Sequence, residues 1–159
     1  MSTIRLVRGS ATAPTEMASY DAALAQAGVE NYNLVSVSSV IPAAVPLEVT
    51  ETAPDLGPPG ERLTVVEGCA TGRGPVELSA AIAWARSVDD GPGLFYEVAD
   101  STDPDDVERR VRAGLEAGCE LRDWAFDDPE VLVEHIRVPA DTYGTAVVLA
   151  TYGESEPIV

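Results

Sequence analysis

The chain has 159 residues, with 27 acidic side chains against 10 basic ones and a formal net charge of −17. That length suits one compact domain burying roughly 68–70% of the surface its unfolded chain exposes, and the acidic excess excludes the basic surface that nucleic acid or anionic membrane selects. All ten basic residues are arginine; without lysine there is no pyridoxal-phosphate Schiff base and no P-loop.

In chain order, Thr3–Arg8 reads as a short strand and Gly9–Pro14 as a loop. Thr15 suits an N-cap for a helix over Glu16–Ala27, stopped by Gly28. Tyr32–Ile41 is a β-branched run ended by Pro42. Pro42–Gly60 holds five prolines and reads as loop. Leu63–Ala70 predicts a strand, Thr71–Pro75 a glycine-rich turn that does not match GxGxxG, and Pro75–Ser87 a helix. A turn at Gly91-Pro92-Gly93 leads into a strand over Leu94–Ala99. Asp103-Pro104 supplies an N-cap and first helical residue, and Val107, Val111 and Leu115 form the apolar stripe of a helix running to Ala117, with Gly118 as its stop. Glu120–Phe126, Val131–Val138 and Thr145–Tyr152 close the chain as strands. The class implied is α/β of the α+β type, several strands with about three helices on a single domain, 1–159.

The rest of the composition narrows the chemistry further. One histidine (His135) and two cysteines (Cys69, Cys119) cannot make a four-ligand zinc site of the usual kinds alone. The cysteines read as small buried hydrophobes rather than a disulfide. A Ser-His-Asp triad through His135 lacks a GxSxG elbow. With no basic leader before an apolar stretch and no apolar run near the roughly 20 residues of a membrane helix, the chain reads as soluble and cytoplasmic. The lysine-free acidity reads as adaptation to a salt-filled cytoplasm. In such a medium, at about 1 M salt, a Debye length near 3 Å leaves little long-range steering of a cationic substrate.

The segment Asn33-Leu-Val-Ser-Val-Ser-Ser-Val-Ile-Pro42 is the odd one. Two adjacent hydroxyls, Ser38 and Ser39, stand late in a strand-like run just before a proline-fixed loop, where hydroxyls ordinarily bond to backbone. The wider string contains Tyr20-Asp21-Ala22-Ala23-Leu24, Ala27-Gly28, Asn33-Leu34-Val35 and Ser38-Ser39-Val40-Ile41-Pro42. Later come Leu78-Ser79-Ala80-Ala81-Ile82, Gly93-Leu94 running to Glu97, and Val133-Glu134-His135. Taken together these blocks resemble the pyruvoyl-dependent arginine decarboxylase family over nearly the whole chain, the Asn-to-Ser-Ser block being the specific part.

The resemblance implies a four-layer αββα sandwich, self-cleaved between Ser38 and Ser39 into a small fragment (1–38) and a large one (39–159). It implies a covalent pyruvoyl group made from Ser39, with neither pyridoxal phosphate nor metal. It further implies a homo-oligomer, a trimer of processed protomers, that decarboxylates arginine to agmatine and CO2, feeding polyamine synthesis or RNA modification in a salt-loving archaeon. The Ser39 hydroxyl can attack the Ser38 carbonyl through a five-membered ring. By position, Asn33 matches the asparagine that stabilises self-cleavage. Glu97 matches the glutamate that returns a proton to the substrate carbon, and it lies in an apolar strand where burial raises a carboxyl pKa. Asp21 matches the aspartate that holds the guanidinium; it falls in a helical stripe marked by Met17, Tyr20, Leu24 and Ala27. Other readings consistent with the residues are the same chemistry on another amino acid, and a binding subunit that keeps the fold without processing.

Overall fold

A computed structural model describes residues 2–159. Among them β1 (Ile4–Ala13), α1 (Glu16–Ala27), β2 (Asn33–Ser36), β3 (Val40–Ile41), β4 (Leu47–Glu51) and β5 (Arg62–Arg73) make the first half. The second half comprises β6 (Val76–Arg86), β7 (Gly93–Asp100), α2 (Pro104–Glu120), β8 (Glu130–Val138) and β9 (Tyr143–Tyr152). The strands form a five-stranded sheet ordered β2-β5-β9-β1-β4 and a four-stranded sheet ordered β3-β7-β6-β8. Pairing is parallel for β1 with β4 and β2 with β5, and antiparallel elsewhere.

Three apolar clusters hold these parts together. One, with Leu6, Val66, Leu78, Ile82, Phe95 and Val148, draws on both sheets and fills the space between them. A second joins Ala23, Leu24 and Ala27 of α1 to Val7, Leu63, Val65, Val147 and Leu149 of the five-stranded sheet. The third sets Val107, Val111 and Leu115 of α2 on Ala81, Ala83, Ala85 and Leu94 of the four-stranded sheet. Helix α1 keeps the bounds its caps predict: the Thr15 hydroxyl accepts from the Ala18 N–H, and Gly28 closes the helix at φ 82°. Among the described residues no helix is long and apolar enough to cross a membrane.

Several elements differ from the sequence reading. The stretch 9–14 is not a loop, because β1 runs on to Ala13 along the full length of β9. Gly9 lies inside that strand because α1 crosses it closely: a Cβ there would stand 2.1 Å from the Ala23 carbonyl oxygen. Pro75–Ser87 is strand β6 and not a helix, leaving two helices among the described residues where about three were expected. Its Leu78, Ala80, Ile82 and Trp84 face the other sheet while Ala81, Ala83 and Ala85 lie under α2. A strand buried on both faces reads as one apolar run, which periodicity cannot separate from a buried helix.

Glu120–Phe126 is not a strand either. Helix α2 passes through Gly118 to Glu120, and only an isolated bridge, Ser87 to Phe126, follows. Gly118 is there for space, since a Cβ would come within 2.5 Å of the Tyr96 ring and hydroxyl. The 42–60 loop carries β4, and the Tyr32–Ile41 run is broken into β2 and β3. Both cysteines are free, with Cys69 exposed and Cys119 half-buried rather than in the core.

All ten arginines find oxygen partners. Eight lie within ion-pair distance of a carboxylate, as Arg62 does with Glu156 at 2.8 Å. Arg86 and Arg122 instead donate to the carbonyls of Val45 and Gly118. Most of the 27 acidic side chains therefore face solvent without a guanidinium.

Candidate active site

The break between β2 and β3 is where the chain changes sheets. The last contact on the five-stranded side is the Val37 N–H, which donates to the Val65 carbonyl of β5 at 2.9 Å. The first on the four-stranded side is the Ser39 carbonyl, which accepts the Phe95 N–H of β7 at 2.7 Å. Ser38 is the one residue between these anchors; it is exposed, and Ser39 is half-buried. The Ser38–Ser39 peptide bond thus spans the gap at one edge of the two sheets.

Glu97 lies two positions beyond Phe95 on the same strand, so both project to the same face, into the space between the sheets. A Cβ built on Gly68 of β5 would come within 3.2 Å of the Glu97 Cβ, which locates the side chain against the opposite sheet. Solvent reaches Glu97, yet partial burial pushes its carboxyl above the ordinary value, outweighing its own backbone hydrogen bond. Tyr152, at the end of β9, packs edge-on to Phe95 with ring centroids 6.2 Å apart. Its hydroxyl donates to the Val40 carbonyl at 3.0 Å. Burial, and then the Glu97 charge, raise the phenol to about 12.

Asn33 and Asp21 do not join this cluster within one chain. Asn33 opens β2, its side-chain amide donating to the Gly60 carbonyl at 2.7 Å, and five residues of extended chain put it roughly 15 Å from Ser38. Asp21 is exposed, and the apolar stripe expected around it is displaced. Met17 is 77% exposed, and the buried face of α1 is Ser19, Ala23, Leu24 and Ala27. The helix sits on the outer face of the five-stranded sheet, whereas Glu97 points between the sheets. His135 is occupied elsewhere, its Nε2 lying 2.8 Å from Glu77 Oε1.

The sequence matches the model of the family described as pyruvoyl-dependent arginine decarboxylase over residues 3–157. The chain belongs to this family. It is 53% identical over 158 residues to the pyruvoyl-dependent arginine decarboxylase of Halobacterium salinarum, covering 99% of this chain and 98% of that one. Matches of lower identity are the Methanocaldococcus jannaschii protein of the same name, 34% over 139 residues and 84% and 80% of the two chains, and the Pyrococcus abyssi protein, 31% over 134 residues and 84% of each.

For a member of the pyruvoyl-dependent family, the residues at the junction fit the prosthetic group. A serine follows a peptide bond that no ladder encloses, and the carbonyl that would adjoin the group's ketone already has a backbone donor, the Phe95 N–H. Two residues escaped the sequence reading, one at the junction and one on the outer face of the five-stranded sheet beside α1. Tyr152 closes an apolar strand, and only a three-dimensional path brings its hydroxyl to Val40. Glu67 stands alone among Val65, Val66 and Gly68; its carboxylate accepts from the Tyr20 hydroxyl at 2.8 and 3.1 Å, and burial raises its pKa. A single carboxylate in an apolar strand was the available signal.

Proposed function

We propose that this chain is an arginine decarboxylase that forms its own pyruvoyl group at position 39 and converts arginine to agmatine and CO2. The observation that carries the reading is the Ser38–Ser39 bond strung between two sheets, with the Ser39 carbonyl on the Phe95 amide and Glu97 two residues along. In self-cleavage the Ser39 Oγ bonds to the Ser38 carbonyl carbon and the C–N bond breaks, leaving an ester and a free amine. Loss of the Ser39 Cα proton expels the Ser38 carboxylate and leaves dehydroalanine. Water then replaces the nitrogen, which departs as ammonia.

The group so formed supplies a carbonyl that takes up the substrate amine and draws in the electrons released with CO2. Glu97, whose carboxyl partial burial shifts above its ordinary value, delivers a proton to the substrate carbon. The Asp21 carboxylate takes the guanidinium as a two-pronged partner, and the Asn33 amide stabilises the charge that develops during cleavage.

The working unit in this reading is a cytoplasmic trimer of single-domain, four-layer αββα protomers. Helix, sheet, sheet and helix are joined by three apolar clusters in turn, which supports the four layers. Asn33 and Asp21 stand away from Ser39 in one chain, and Val35, Val37 and Val40 expose apolar surface around the junction. Both observations favour a pocket completed by a neighbouring protomer. Fragments 1–38 and 39–159 stay associated because β1 pairs with β9 over ten residues.

The test is a denaturing intact-mass spectrum of protein folded in high salt, followed by CO2 release from carboxyl-labelled arginine. Two fragments meeting at Ser38/Ser39, the larger lighter by one ammonia than a serine-started chain, together with arginine turnover are expected. A chain that stays whole would favour the binding subunit, and a processed enzyme that ignores arginine would move the substrate to another amino acid.

A further inference from the structure

The segment that follows the junction has few hydrogen bonds ahead of its buried Ile41. β3 is two residues long and lies at the edge of the four-stranded sheet, with Val40 opposite Leu94 and Ile41 opposite Gly93. In the intact chain it is also tied to the five-stranded sheet covalently, through Ser38 and the Val37 N–H on Val65. Cleavage between Ser38 and Ser39 cuts that tie. Ile41 stays buried in the apolar cluster between the sheets, and the hydrogen bond that still reaches residues 39–41 from the five-stranded sheet is that of the Tyr152 hydroxyl on the Val40 carbonyl, 3.0 Å. The Tyr152 ring meanwhile braces Phe95, whose N–H holds the Ser39 carbonyl at 2.7 Å.

We propose that Tyr152 is a positioning residue of the processed enzyme, whose hydroxyl holds the new chain terminus so that the Ser39 carbonyl stays on the Phe95 N–H. The proposal rests on the self-processing reading above and adds a residue that acts only after the cut. The Ser39 carbonyl adjoins the ketone, and a donor on its oxygen deepens its electron withdrawal. A terminus that wanders loses both that donor and its alignment with Glu97. Tyr152 packs on Phe95, beside Glu97, whereas Asp21 is exposed on α1 at the outer face of the sheet, so the effect of Tyr152 is expected on turnover rather than on substrate affinity.

The experiment compares Tyr152→Phe, which keeps the ring packing, in two backgrounds: the processed enzyme and the uncleavable Ser39→Ala chain. Hydrogen exchange at the Phe95 amide is followed by mass spectrometry or NMR, alongside kcat and KM for arginine. Loss of one net hydrogen bond corresponds to about 3- to 10-fold. The processed variant is expected to exchange Phe95 faster by that factor and to lose kcat by a similar one, with KM and fragment masses unchanged. In the Ser39→Ala background the same substitution should leave Phe95 exchange within twofold, since the covalent tie persists. Equal acceleration in both backgrounds would make Tyr152 a general packing residue and overturn the proposal, as would unchanged exchange in the processed enzyme. A wild-type protein that never cleaves would overturn it too, by a mass spectrum that separates failure of processing from failure of the tether.

Discussion

Replacing Gly9 by alanine should unseat α1. The added Cβ would stand 2.1 Å from the Ala23 carbonyl oxygen and 3.1 Å from the Ala27 nitrogen, both backbone atoms with no rotamer to give way. Restoring an ordinary contact moves the helix about 1.3 Å off β1, and a gap of 0.5–1 Å already forfeits about a quarter to a half of the dispersion at each contact. The contacts affected are those of Ala23, Leu24 and Ala27, all buried against the sheet. Overpacking of this kind costs about 1–3 kcal/mol, and partial exposure of Leu24 brings the total to about 2–4 kcal/mol. For a chain of this length each kcal/mol lowers Tm by about 2–4 °C, so Gly9→Ala should melt about 5–15 °C below wild type. Calorimetry of both proteins at the same high salt measures this. A Tm within about 2 °C of wild type would show that α1 can shift without loss, and the tight seating argued for α1 would be wrong.

Other substitutions separate the proposed roles. Glu97→Gln should leave the two fragments intact while lowering kcat about 10²- to 10⁴-fold; near-normal turnover would remove Glu97 as the proton donor. Asp21→Ala should raise KM for arginine about 10- to 100-fold, the span of a charge-assisted hydrogen bond, and an unchanged KM would sink the guanidinium assignment. Glu67 tests the pH sign. Burial raises its folded pKa above the 4.5 of a free glutamate, so its contribution to stability is full below 4.5 and is lost as pH rises through the raised value. Glu67→Gln, which still accepts from Tyr20, should therefore gain in Tm relative to wild type as pH rises from below 4.5 through the raised value, and a difference that stays flat from about pH 4 upward would contradict the assigned shift.

The parts legible in the sequence are those fixed by local chemistry. The Thr15 hydroxyl and the left-handed Gly28 bound α1 to the residue, and Asp103 accepting from the Asp106 N–H starts α2. What sequence could not supply was decided at a distance. The alanines of β6 favour a helix by intrinsic propensity, but two layers of neighbours make them the floor under α2. Gly118 looks like a helix stop and is a notch for Tyr96. The same division holds at the site: the Ser-Ser pair and Glu97 are visible as residue types in an unusual setting. That Ser39 hangs on Phe95, or that Tyr152 reaches Val40, depends on how two sheets face each other.

The crossing from one sheet to the other explains why the proposed cleavage belongs at Ser38 and not a few residues earlier. A cut within Asn33–Ser36 would fall inside the ladder with β5, where parallel pairing runs from Asn33–Arg62 to Ser36–Val65, and would put its hydrogen bonds at risk. At Ser38 no ladder is interrupted: β2 keeps its pairing with β5, β3 keeps Val40–Leu94 and Ile41–Gly93, and β1 with β9 still joins the two fragments. The peptide bond that must distort to bring the Ser39 Oγ onto the Ser38 carbonyl is also the one whose own flanks are anchored, at Val37 on one side and Ser39 on the other. Rigid flanks around an unpaired bond confine the motion to the reacting atoms, which converts a rare encounter into a held geometry.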